Sequence, residues 1–262
     1  VKINAMNRAL PLLMLMWVGC VAPIRPTQEP TTLRVMSYNI KHGYGMDGRI
    51  DFERIAAVIR KQNPDVVTLQ EVDKAVSRSG GIDTAQHLGQ LLGMTHHFAK
   101  FMDYQGGEYG LAVLSKLPIV ESYRHPLPDG AEPRCALEVV VNVGEKDHLV
   151  SVVAVHNDWT DVVYRIAQTE ALDAALSATS HPVILAGDFN GLADDASLSL
   201  LEERGWQIVD KGGASTFPSV VPDRQIDFFM HRGFEEVAVE NWVVDERIAS
   251  DHRPIVGVFS YR

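Results

Sequence analysis

The chain has 262 residues, 46% hydrophobic and 22% charged, a balance that supports a full buried core and excludes a disordered chain or a collagen-like repeat. With 24 basic and 34 acidic side chains the formal charge is −10, and no Lys/Arg cluster offsets it, which disfavours nucleic acid as a partner at long range. Two cysteines, Cys20 and Cys135, exclude a disulfide-rich scaffold.

Along the chain, Lys2 and Arg8 precede an apolar run over 9–18 that ends at Gly19-Cys20 and meets the proline-rich Ala22-Pro23-Ile24-Arg25-Pro26. This is the pattern of an export signal, with Met6 a candidate start. The run falls short of the roughly 20 residues that span a bilayer. Trp17-Val18-Gly19-Cys20 resembles the bacterial lipobox, although Trp17 stands where that motif usually has leucine. The resemblance implies cleavage before Cys20 and acylation of its thiol, which would place the protein on a membrane at the cell envelope. A soluble secreted protein and an uncleaved apolar tail are the alternatives. The expected organisation is a signal over 1–19, a polar tether over 20–32 and one domain over 33–262. Loss of residues 1–19 leaves 22 basic against 34 acidic side chains, a formal charge of −12. With Cys20 acylated, Cys135 has no partner and reads as a small core residue.

A strand is predicted over 33–38, ending at Asn39, followed by the glycine-rich loop Gly43-Tyr44-Gly45-Met46-Asp47-Gly48. Asp51 is a candidate N-cap for a helix in which Phe52, Ile55, Ala56 and Ile59 share a face, and Asn63-Pro64 ends it. A strand over 66–69 then delivers Gln70-Glu71. Further strands are predicted over 110–114, 119–123, 136–143 and 149–155, with Glu145-Lys146-Asp147 as a hairpin tip. A helix over 162–176 precedes a short buried strand over 182–187 that stops at Asp188. A helical stretch over 197–203 and strands over 226–230, 237–243 and 254–259 complete the series. Many strands with few helices favour two packed sheets flanked by helices.

Acid- or amide-bearing residues close several of these runs: Gln70-Glu71-Val72-Asp73, Gly187-Asp188-Phe189-Asn190 and Ser250-Asp251-His252. Together with Ser37-Tyr38-Asn39-Ile40, Gly110-Leu111-Ala112-Val113-Leu114-Ser115-Lys116, His156 and Ile226-Asp227-Phe228, they occur in the order found in the endonuclease/exonuclease/phosphatase superfamily, which the chain resembles from about residue 33 to residue 259. The resemblance implies an α+β fold, a four-layer α/β/β/α sandwich of two mostly antiparallel sheets with the active site at one edge. It implies that Glu71 is the main Mg²⁺ ligand, with Asn39 and Asp251, Mn²⁺ being the other candidate ion. Hard oxygen donors suit such a cation. It further implies that Asp188 and Asn190 position and activate water, that His252 stabilises the phosphoryl transition state with Asp227 orienting it, and that His156 binds a non-bridging oxygen.

Each residue alone has a plainer reading: Asn39 as a turn residue, Glu71 as a solvated strand edge, Asp188 with Asn190 as an Asx turn, the histidines as ordinary core or surface groups. Arg134 faces the phosphate or pairs with an acid on an edge strand. Tyr109 contacts substrate or packs. Arg165 and Gln168, three apart on one helical face, read as structural. The segment His156-Asn157-Asp158-Trp159-Thr160-Asp161 departs from the His-Leu pattern of the family, which points to an altered leaving-group pocket with Trp159 as a candidate aromatic wall.

The expected function is an exported, metal-dependent phosphoesterase, acting as a monomer on a small or lipid-borne phosphodiester or phosphomonoester. An extracellular nuclease on DNA or RNA is the alternative, and an inactive lipid-anchored binding protein is the third reading. Substrate choice is expected to lie in the loops 43–48, 104–108, 126–133 and 215–224.

Overall fold

The computed structural model describes residue 1, residues 31–144 and residues 148–261. In chain order its elements are β1 (Thr31–Asn39), α1 (Phe52–Gln62), β2 (Val66–Lys74), α2 (Thr84–Leu92), β3 (Thr95–Tyr104), β4 (Gly107–Ser115), β5 (Ile119–Pro126), β6 (Cys135–Asn142), β7 (Leu149–His156), α3 (Val162–Ala175), β8 (Val183–Asp188), α4 (Ala196–Glu203), β9 (Gln207–Ile208), β10 (Asp227–Arg232), β11 (Val237–Val243) and β12 (Ile255–Tyr261). Among the described residues all four α-helices begin on an aspartate whose carboxylate accepts a backbone N–H of the first turn: Asp51, Asp83, Asp161 and Asp195. Each cap satisfies one donor that the helix leaves open. Asn63 and Gly93 take left-handed conformations to end α1 and α2.

Two six-stranded sheets result, ordered β11-β12-β1-β2-β4-β3 and β5-β6-β7-β8-β10-β9. Each is antiparallel apart from one pair, β1 with β2 and β7 with β8. Each parallel pair is joined by a crossover helix, α1 or α3, as a parallel connection requires. Between the sheets lie Val35, Leu111, Val113, Val139, Val152, Ile184, Phe229 and Phe259, all inaccessible to solvent. Ile55, Ile59 and Leu88 of α1 and α2 cover the other face of the first sheet against Met36, Val67 and Leu69. Leu172, Leu198 and Leu201 of α3 and α4 do the same against Val153, Leu185 and Phe228. Burial of each such side chain is worth about 1.5–3 kcal/mol, so the alternating pattern of the strands dictates four layers, α/β/β/α.

The expected strands and helices are present with ends shifted by a few residues. β1 starts at Thr31, paired with Tyr261, so the expected tether stops short of residue 31 and not at 32. The segment between β2 and β4, for which the patterning predicts no element, holds α2 and β3. In α2 Gly89 sits where a Cβ would approach the Met94 carbonyl oxygen to 2.8 Å, and this glycine weakens the helical signal. β3 is an edge strand with mostly half-buried side chains, and its alternation is correspondingly faint. The expected signal, Cys20, most of the tether and the hairpin tip at 145–147 lie outside the described residues.

Candidate active site

The carboxyl ends of both parallel pairs meet at one edge of the sandwich. Asn39 ends β1 and Asp188 ends β8, and the Asn39 Nδ2 donates to Asp188 Oδ2 at 3.2 Å and to Glu71 Oε1 at 3.0 Å, tying one sheet to the other. Glu71 sits on a bulge: between Leu69 and Val72 the register of β2 against β4 slips, and Glu71 takes a left-handed φ of 57°. A non-glycine residue in that region stores strain, which surrounding structure must hold. His156 pairs with Asp188 across β7 and β8, and Asp227 pairs with Asp188 across β10 and β8. Gly187 permits this approach, since a Cβ there would lie 2.0 Å from the Val155 carbonyl oxygen.

Two imidazoles and a backbone N–H join Asn39 around the Asp188 carboxylate. His252 Nε2 and His156 Nε2 each stand 3.6 Å from Oδ2, and the Asn190 backbone N–H donates to Oδ1 at 2.9 Å. Asn190 is itself left-handed, a conformation asparagine tolerates, and its Nδ2 donates to the Asn157 carbonyl oxygen at 3.0 Å. His252 Nδ1 lies 3.0 Å from Asp227 Oδ2. Asp251 is held by Lys41 Nζ at 2.7 Å, and Ser250 Oγ donates to the Asn39 carbonyl oxygen at 2.7 Å. The structure therefore brings Asn39, Glu71, His156, Asp188, Asn190, Asp227, Asp251 and His252 into one cluster.

Burial and neighbouring charge divide these groups. Burial raises the Asp188 carboxyl well above the carboxylate range, and Asp227 adds to the shift against the opposing pull of His252, Asn190 and Asn39. Burial also raises Glu71, with Asp251 as the next cause. Burial disfavours the His252 cation, yet Asp227, Asp188 and Asp251 together outweigh it and the imidazole is raised. His156 goes the other way: burial, Arg134 and His252 all lower it, and it stays neutral. One imidazolium, one neutral imidazole and carboxyls pushed upward now share a site.

Glu71, His156, Asp188, Asn190, Asp251 and His252 line a cleft of about 370 Å³ together with Tyr109, Arg134 and Trp159, while Asn39 and Asp227 stand behind them. Tyr109 and Arg134 line the cleft, and Arg134 also pairs with Glu132 of the loop before β6 at 2.9 Å. The Arg134 side chain is almost fully buried over the Phe101 ring, its Nε without a partner. Trp159 lines the cleft with 63% of its surface exposed. The adjacent Asp158 is buried and accepts from the backbone of Ala131, Thr160 and Asp161, so the acidity of that segment is spent inside the loop. Arg165 pairs with Asp195, and Gln168 accepts from the Asp158 backbone and donates to the Pro128 carbonyl oxygen, both structural. Cys135 is buried as a free thiol. Sequence reasoning missed Lys41 on Asp251, and Phe217 and Arg224 at the cleft; the last two fall in the loop 215–224, where the composition signalled variation but not which side chains turn inward.

Among the described residues one group of acid and imidazole atoms, from Asp188, Asp227 and His252, lies within 4.8 Å of one another and could hold a metal ion. The proton favoured on His252 competes with an ion there, since a ligating imidazole must be neutral. A second donor set is Glu71, Asp251 and Asn39, oxygen-bearing throughout. Asp251 raises Glu71 because the two charges repel, and by donor chemistry these oxygens suit a hard cation such as Mg²⁺ or Mn²⁺, although Lys41 Nζ now pairs with Asp251 and Asn39 turns its Nδ2 to Glu71.

Similarity to known proteins agrees with this geometry. The chain superposes on an endonuclease/exonuclease/phosphatase protein of Beutenbergia cavernae with a TM-score of 0.71 at 27% identity, covering 88% of this chain and 72% of that one. A mannosyl-6-phosphatase of Bacteroides thetaiotaomicron gives a TM-score of 0.71 at 18% identity, over 87% of this chain and 99% of that one. Sphingomyelinase C of Streptomyces griseocarneus gives 0.67 at 22% identity, over 88% and 99%. The last two share the fold. The sequence profile of the Endonuclease/Exonuclease/phosphatase family matches residues 36–252, and the chain belongs to that family.

Proposed function

We propose that the protein is an exported, divalent-metal-dependent phosphoesterase that hydrolyses a phosphodiester or phosphomonoester of a small or lipid-borne substrate, anchored to a membrane through Cys20. The carrying observation is the convergence on Asp188 of a paired His252–Asp227, a neutral His156 and the Asn39–Glu71 bridge. A mannosyl-6-phosphatase and a sphingomyelinase among proteins of this fold support a small or headgroup phosphate over a polymer. The cleft of about 370 Å³ suits a substrate of that size.

In this reading water attacks phosphorus in line with the leaving oxygen, the new P–O bond forming as the ester P–O bond breaks, and the departing alkoxide takes a proton from solvent. Asp188 accepts the proton of the attacking water, a role that burial favours by raising the carboxyl toward the working pH. Asn190 fixes Asp188 through its backbone N–H. His252, charged and oriented by Asp227, faces the phosphoryl oxygens, where its charge counts most as negative charge builds in the transition state. His156 and Arg134 contact a further non-bridging oxygen, and Tyr109 borders the same space. Glu71, Asn39 and Asp251 would hold Mg²⁺ or Mn²⁺, which supplies neutralisation of the phosphate charge when bound.

The test is a hydrolysis screen with Mg²⁺, Mn²⁺ and EDTA against bis-p-nitrophenyl phosphate, sugar phosphates, inositol phosphates, sphingomyelin, plasmid DNA and RNA. The expected result is metal-dependent turnover of a small or headgroup ester. Faster release of nucleotides from DNA or RNA would replace the proposal with a nuclease, and silence on every ester from folded, metal-binding protein would favour an inactive binding protein. Labelling with a radiolabelled fatty acid in a bacterial host, lost in Cys20→Ala, tests the anchor.

A further inference from the structure

Phe217 and Arg224 form a built feature that the proposed chemistry does not use. The loop between them closes on itself: the Phe217 N–H donates to the Arg224 carbonyl oxygen at 3.1 Å and the Arg224 N–H returns the bond at 2.9 Å. It is then fastened to the segment carrying His252. The Ser219 N–H donates to the Asp251 carbonyl oxygen at 2.7 Å, the Arg253 N–H to the Thr216 carbonyl oxygen at 2.8 Å, and Arg253 Nε to the Ser219 carbonyl oxygen at 2.7 Å. Backbone bonds therefore set where Arg224 stands relative to His252.

The Phe217 ring centroid lies 4.7 Å from that of His252, and the Arg224 guanidinium carbon lies 4.5 Å from the Phe217 centroid. The Phe217 ring contacts both groups, so the guanidinium carbon lies no more than about 9 Å from the His252 ring. Both residues line the cleft. The two cleft arginines differ in their engagement. Arg134 is buried and paired with Glu132 at 2.9 Å, whereas the Arg224 side chain is 56% exposed and its carboxylate neighbour, Asp223, stands 3.7 Å away and is itself 74% exposed. An open guanidinium placed over an aromatic ring offers planar N–H donors suited to a carboxylate or phosphate.

We infer that Arg224 on Phe217 is an outer anion subsite, and that the enzyme takes small phosphoesters bearing a second anionic group a few bonds from the scissile phosphate. The inference rests on the phosphoesterase reading for the place of that phosphate, yet it is tested by binding, so hydrolysis and subsite fail separately. In calorimetry, glycerol 3-phosphate and 3-phosphoglycerate are each titrated into the full chain carrying Asp188→Asn, in Mg²⁺ buffer at low and high salt. The probes differ in a hydroxymethyl group against a carboxylate. The expected result is about tenfold tighter binding of 3-phosphoglycerate, the gain of one charge-assisted contact at a solvated site. That preference should vanish in Arg224→Gln, persist in part in Arg224→Lys, and shrink at high salt, with glycerol 3-phosphate affinity and thermal unfolding unchanged by either substitution. Equal binding of the two probes, binding of neither, or a preference that survives Arg224→Gln overturns the inference. A gain that depends on Arg224 for the dinucleotide pTpT over thymidine 5′-phosphate, but not for 3-phosphoglycerate, overturns the small-substrate assignment.

Discussion

The cleft and the outer face of the second sheet each bury a carboxylate among histidines, with opposite electrostatic results. On the outer face Glu138 of β6 meets His125 Nε2 at 2.7 Å and accepts from Ser151 Oγ, which in turn lies 2.7 Å from His181 Nε2. Burial raises its carboxyl, but the bonds from His125 and Ser151 outweigh that and hold it below the usual range. In the cleft burial acts in the same sense on Asp188 and is not outweighed: His252, Asn190 and Asn39 oppose it, Asp227 adds to it, and the carboxyl ends raised. His156 Nδ1 and Arg134 Nε are also left without partners there, a deficit the Glu138 group does not share. A buried acid with histidines is therefore not itself a sign of chemistry. The mark of the site is a surplus of like charge and open donors that a phosphate and a cation can satisfy.

Substitutions at equivalent places in the two groups break or sharpen this contrast. The largest effect is expected from Asp188→Asn, which should lower kcat by roughly 10³-fold, within the range for loss of a general base. In EDTA it should leave the fold as stable or raise Tm by about 2–4 °C at neutral pH, the shift for about 1 kcal/mol in a domain of this size. A fall in Tm would show that Asp188 is a supporting carboxylate like Glu138. Next comes Asp227→Ala, expected to lower kcat roughly 10²-fold with the metal requirement unchanged, because it removes the orientation of His252. Unchanged turnover would remove the pair from the mechanism. Glu71→Gln should shift the Mg²⁺ activation curve to roughly tenfold higher concentration or beyond. An unshifted curve would move the ion to the Asp188, Asp227 and His252 group.

Glu138→Gln is the reciprocal of the first test. It should cost about 2 kcal/mol, lowering Tm by roughly 4–8 °C, by weakening charge-assisted bonds to His125 and Ser151. Activity at permissive temperature should stay within about twofold of the parent protein, since among the described residues the Glu138 carboxylate bonds to His125 and Ser151, neither of which lines the cleft. The smallest effect is in pH dependence without metal. Glu138 has a lowered folded pKa, so its contribution is present above the ordinary carboxylate range, about 4.3, and is lost as pH falls through the lowered value. Asp188 has a raised folded pKa, so its contribution is present below about 3.9 and is lost as pH rises through the raised value. Stability profiles of Glu138→Gln and Asp188→Asn should thus approach the parent at the acid end and diverge from it in opposite directions toward neutral pH.

Much of the fold was legible because its signals are local. Asp51 as a cap, Asn63-Pro64 as a stop and the apolar runs that became β7 and β8 require nothing beyond their neighbours in sequence. The segment holding α2 and β3 was not legible, since a two-turn helix carrying Gly89 and an edge strand with one face half-exposed have little periodicity to read. Among candidate site residues, those at strand ends were legible through their order along the chain. Phe217 and Arg224 were not, because a loop residue acquires its place only when Ser219 and Arg253 fasten the loop to the segment beside His252.

The amino-acid sequence by itself determined the layers, most of the strands and the kinds of chemistry they carry, whereas β2 runs on past its expected end to Lys74 and places Glu71 on an internal bulge, because periodicity and capping act over a few residues only. Tertiary structure alone decided that Asn39 reaches Asp188 from 149 positions away, that Asp188 and Glu138 shift in opposite directions, and that Arg134 is closed while Arg224 is open. Those outcomes depend on burial and on charge contacts of 2.7–3.6 Å, some within a sheet or loop and one between the sheets, and such distances exist only once the chain has packed.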